Sequence, residues 1–75
     1  MTQNMEIRYN IWNIKGYVGF YDCDGPSDYN VNINLILNST YTKKDVINMF
    51  CEKHKDKRNV VIGSCEVVHK GLITY

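Results

Sequence analysis

The residues that could do chemistry in this chain are three cysteines, two histidines and a loop rich in aspartate. Cys51 and His54 stand three apart, and Cys65 and His69 four apart, a spacing superficially like paired zinc ligands. If Cys65 to His69 lies on one strand, its ends are separated by roughly 13 Å. Zinc needs its ligand atoms within ~2.3 Å of a common point, so the pattern implies no metal centre. The loop Asp22-Cys23-Asp24-Gly25-Pro26-Ser27-Asp28 lacks the regular ligand spacing and closing glutamate of a calcium loop. Its aspartates read instead as turn residues that bond their own backbone.

A cysteine nucleophile needs nearby cations or a helix N-terminus to hold its thiolate. Cys23 sits between two aspartates, Cys51 falls late in an expected helix, and Cys65 falls in an expected strand. No serine stands in a nucleophile elbow and no glycine pattern cradles phosphate. The sequence therefore points away from an enzyme, and it calls for no cofactor.

Seventy-five residues with a net charge of +1 define a single domain over 1–75. So small a charge creates no global field toward nucleic acid or membrane. No apolar run is long enough to span a bilayer, and the first ten residues lack a signal-like core. These features imply a cytoplasmic protein with free thiols. Phe, Tyr, Met, Ile, Asn and Lys supply 35 residues against 8 for Gly, Ala, Arg and Pro, with no alanine at all. That bias follows AT-rich codons and associates the chain with AT-rich genomes, among them Gram-positive bacteria and their phages.

The elements that would position these residues follow from periodicity. Residues 5–12 and 17–22 alternate as strands, with Asn13-Ile14-Lys15-Gly16 between them as a turn. This places Met5, Ile7, Tyr9, Ile11, Val18 and Phe20 on an inner face. Asn30 to Asn38 alternates again, with Val31, Ile33, Leu35 and Leu37 inward. Thr42-Lys43-Lys44-Asp45 is a capping box opening a helix to about Lys55, its inner stripe carrying Val46, Ile47 and Phe50. Strands follow near Asn59–Ile62 and Cys65–His69, and a turn at Lys70-Gly71 returns a last one over Leu72–Tyr75. The expected fold is α+β: a mainly antiparallel sheet of four to five strands with one helix on one face, in the order βββαββ.

On that reading the outer face of the first hairpin gathers Arg8, Trp12, Tyr17 and Tyr21. Large amphipathic rings beside arginine are the residue types of interface hot spots. The expectation is a small non-enzymatic binding protein contacting a host protein, with a phage or mobile-element inhibitor of a host defence protein as its sharpest form. Self-association into a homo-oligomer fits the same face. One alternative is a small oligomer holding a nucleotide-like ligand on the rings. Another is single-stranded nucleic-acid binding with help from Lys53–Arg58, disfavoured because that basic cluster is not interleaved with aromatics.

Overall fold

A computed structural model describes residues 5–74; residue 75, the end of the expected Leu72–Tyr75 strand, and residues 1–4 lie outside the described residues. The described residues form three long strands and one helix: β1 (Glu6–Asp22), β2 (Gly25–Asn38), α1 (Lys43–Lys53) and β3 (Asn59–Thr74). The strands form one antiparallel sheet in the order β2-β1-β3. The expectation of four to five strands in the order βββαββ is thus corrected to three strands in the order ββαβ.

The correction has a local cause. Asn13-Ile14-Lys15-Gly16 does not turn, because Ile14 is fully buried and paired with Ile33 on one side and Cys65 on the other. Gly16 is required for space rather than for backbone handedness: a Cβ there would run into the Val61 carbonyl oxygen of β3. The hairpin turn falls instead at Cys23-Asp24. Asp22 pairs with Gly25, which adopts φ 111°, and the Asp22 carboxylate accepts from the Asp24 amide at 2.8 Å. An Asp-Gly step supplies the positive φ that such a tight turn demands.

Lys70-Gly71 likewise stays extended, Gly71 opposite Tyr9. What the sequence offers as breaks in the last third of the chain are two β-bulges in β3. The register against β1 shifts between Lys15 and Gly16, skipping Gly63, and between Ile11 and Trp12, skipping Val68. A bulge absorbs one extra residue and bends the strand without ending it.

Because β1 never reverses, its alternation continues unbroken, and the faces differ from those a turn at residues 13–16 would give. Trp12, Ile14 and Val18 face the helix, joined by Cys65 and by Val46 and Phe50 of α1. Val31, Ile33, Leu35 and Leu37 pack against this core from β2, and Val60, Ile62 and Val67 from β3. Ile7, Tyr9 and Ile11, expected inside, fall on the opposite face by the same alternation.

The helix begins as its sequence dictates. The Thr42 hydroxyl accepts from the Asp45 amide at 3.3 Å, and the Asp45 carboxylate accepts from the Thr42 amide at 3.0 Å. Eleven residues of helix reach only about 16 Å at 1.5 Å per residue. The sheet beneath belongs to a ribbon 64 Å long and about 20 Å across, with a radius of gyration of 16.3 Å. A compact domain of this length would have about 11 Å. The helix therefore seals only the middle of one face.

Candidate binding surface

Of the four residues expected to share a face, the structure brings two together. Trp12 is 6% exposed and lies under the helix, because β1 runs straight through the supposed turn. Its indole Nε1–H finds no hydrogen-bond partner among the described residues. Arg8 shares the parity of Trp12 but lies toward the opposite end of β1 from the tyrosines. Tyr17 and Tyr21 are 9 and 13 residues along the strand from it (17 − 8 and 21 − 8), about 30 and 43 Å at 3.3 Å per residue. No ligand of nucleotide size touches both the tyrosines and Arg8.

Arg8 instead borders an open cleft of about 470 Å³ with Tyr9, Asn10, Ser39, Lys70, Gly71 and Leu72. Its guanidinium and the Lys70 ammonium make no salt bridge among the described residues.

Tyr17 and Tyr21 remain on the same face, away from the helix and four residues apart on β1 (21 − 17), 41% and 71% exposed. Between them Gly19 leaves a gap, and Arg58 fills it. The guanidinium lies 5.9 Å from the centre of the Tyr21 ring, in cation–π range, and donates to the Ser27 carbonyl at 3.2 Å. A Cβ on residue 19 would run into Asn59 Oδ1 and sit 2.6 Å from an Arg58 terminal nitrogen, so a larger residue forces both side-chain ends to shift. The Arg58 amide also donates to the Gly19 carbonyl at 2.8 Å, which anchors the end of the helix-to-β3 connection against β1. The arginine that joins the rings is therefore Arg58, 37 residues downstream of Tyr21 (58 − 21). No local pattern in the sequence signals that juxtaposition. Only its membership of the run Lys53–Arg58 sets it apart.

The rest of this face has a polar waist. The Asn13 amide donates to Asn32 Oδ1 at 2.8 Å and Asn34 Oδ1 at 3.0 Å, bridging its own partner Asn34 and the partner of Lys15. Beyond the waist lie Tyr9 and His69, ring centres 6.3 Å apart.

The thiols are dispersed. Cys23 and Cys51 are exposed, and Cys65 is buried opposite Ile14. Burial pushes the Cys65 thiol up, with Lys43 pulling the other way, so it resists forming a thiolate. The bulge at Val68 puts His69 opposite Ile11, on the other face of the sheet from Cys65. The His54 ring packs against Phe50 at a tilt of 44°, ring centres 4.5 Å apart, and its Nδ1 lies 2.9 Å from the Phe50 carbonyl oxygen. Among the described residues no three of His, Cys, Asp and Glu come close enough to hold a metal. No helix among them is long and apolar enough to cross a membrane. Compared with known family models, curated proteins and solved structures, the chain matches none.

Proposed function

We propose that the chain is a small non-enzymatic binding protein of the cytoplasm, which occludes a partner protein through the uncovered sheet face around Tyr17, Tyr21 and Arg58. One observation carries this reading: two exposed rings flank a guanidinium held in place by a glycine gap, on a face the helix leaves bare. Tyrosine and arginine are enriched in interface hot spots, tyrosine because its ring offers large area at low entropic cost and arginine because its guanidinium offers directed polar contacts. The AT-rich composition supports the sharper form, a phage or mobile-element product that inhibits a host defence protein. Capture from host lysate with the intact chain as bait, followed by affinity measurement on the captured protein, tests it. The paired substitution Tyr17→Ala with Tyr21→Ala should weaken that complex at least about thirtyfold, equivalent to ~2 kcal/mol. Full affinity in the folded variant would overturn the reading.

A second reading gains from Arg58. The basic run Lys53–Arg58 ends against the Tyr21 ring, so cations and stacking surfaces do meet. That combination suits single-stranded nucleic acid. Binding of an oligonucleotide that falls steeply with salt, and is lost with Tyr21→Ala, would favour it over a protein partner.

A further inference from the structure

We propose that two copies of this chain pair through their β2 edges, antiparallel about a two-fold axis perpendicular to the sheet, to form one continuous six-stranded sheet. Both outer strands of the monomer present unpaired backbone groups, and such edges recruit further strands unless something blunts them. The two edges here are treated differently. β3 is bulged at Gly63 and Val68 and carries Glu66, His69 and Lys70, all of which obstruct a regular partner. β2 pairs with β1 from Gly25 to Asn38 without a register shift, so its free edge is equally regular.

The chemistry of β2 suits a copy of itself. From Tyr29 to Asn38 it has no charged side chain and no proline, so a two-fold axis sets no like charges opposite one another. Val31, Ile33, Leu35 and Leu37 form its helix-side row and are only half-buried. The backbone of α1 approaches β3 most closely, which leaves that row incompletely covered. On the other side Ile36 is 68% exposed. A two-fold near Ile33 sets Val31 beside Leu35 of the second copy and Asn32 beside its Asn34. The first contact extends the aliphatic row, and the second continues the amide bridges that Asn13 makes.

The arrangement also stops at two. Once both β2 strands are consumed, only the bulged β3 edges remain at the outside, so the pairing is isologous and closed. Both helices then lie on one face. Both tyrosine surfaces lie on the other, their centres at Gly19 roughly 33 Å apart along the strands.

Sedimentation velocity over a concentration series, on the chain and three variants, tests the assignment. The unaltered chain, 8.8 kDa as a monomer, should sediment as a dimer. Asn32→Lys with Asn34→Lys, and separately Asn30→Lys with Ile36→Lys, put lysines across the axis and should raise the dissociation constant at least about tenfold. Val68→Lys on the bulged edge should leave the dimer intact. An unaltered chain that stays monomeric overturns the proposal, as do well-folded β2 variants that remain dimeric or dissociation by Val68→Lys. Should the β2 variants unfold, NMR on a dimer mixed from labelled and unlabelled copies decides the matter. Intermolecular contacts between β2 residues support the pairing, and their absence refutes it.

Discussion

The two faces of β1 both carry large apolar side chains, yet only one is sealed. On the helix side Trp12, Ile14 and Val18 cluster within seven consecutive positions (12 to 18), which a helix of about 16 Å and its flanks can roof. On the other side the large residues stand apart at two ends: Ile7, Tyr9 and Ile11 at one, Tyr17 and Tyr21 at the other. Asn13 and Lys15 lie between them, and Asn13 is tied to Asn32 and Asn34. Both faces obey the same period of two, so alternation alone does not distinguish core from surface. The difference lies in spacing along the strand, and in whether the middle of a face can tolerate being dry.

The largest expected effect tests the sealed side. Trp12→Ala should cost ~3–5 kcal/mol by urea unfolding, enough to unfold most of a domain this small. Trp12→Phe should cost far less, because removing an unpaired buried N–H recovers part of a penalty of ~1–3 kcal/mol. If Trp12→Ala unfolds no more readily than the unaltered chain, the faces are exchanged. Smaller is the loss expected where the roof is hinged to the sheet. Thr42→Ala removes the hydroxyl of the capping box and should cost about 1 kcal/mol, with the helix signal in circular dichroism frayed before the sheet melts. Smallest of all, Tyr21→Ala on the bare side should shift stability by no more than ~0.5 kcal/mol. A loss comparable to that of Trp12→Ala would mean that this ring, too, belongs to a core.

How far the sequence foretells this arrangement depends on whether the deciding contact is local. The start and inner stripe of the helix are legible, since Thr42, Asp45, Val46 and Phe50 lie within nine consecutive residues (42 to 50), and only its end falls at Lys53, short of the expected Lys55. The inner row of β2 is legible for the same reason, because every second residue is aliphatic and no break interrupts it. The supposed turn at Gly16 misleads because glycine serves two ends. Here it admits a carbonyl from a strand 45 residues downstream (61 − 16), and nothing near residue 16 says so. A turn at that point reverses the face of residues 5–12 and brings Trp12 out of the core. Tyr17 and Tyr21 are untouched by the difference, since they lie beyond the break. Arg58 is invisible as their neighbour for want of any short-range link.

The central position of β1 has a further consequence, for the order in which the molecule is made. The β1–β2 ladder grows outward from Asp22 and Gly25, three residues apart (25 − 22), and hairpins of this kind close within about 1–10 μs. The β1–β3 ladder has no such seed. Its nearest partners, Gly19 and Asn59, are 40 residues apart (59 − 19), and its farthest, Glu6 and Thr74, are 68 apart (74 − 6). Loops of that length must be closed before any pairing rewards them, which slows folding as contact order rises. During synthesis β3 emerges after everything it pairs with. Until it docks, the nascent chain is a two-stranded ribbon with Ile14 and Val18 uncovered by Cys65 and Val60, and such exposed ribbons aggregate. The rate at which β3 arrives, more than the final stability, should set how much of the chain is recovered folded at high expression.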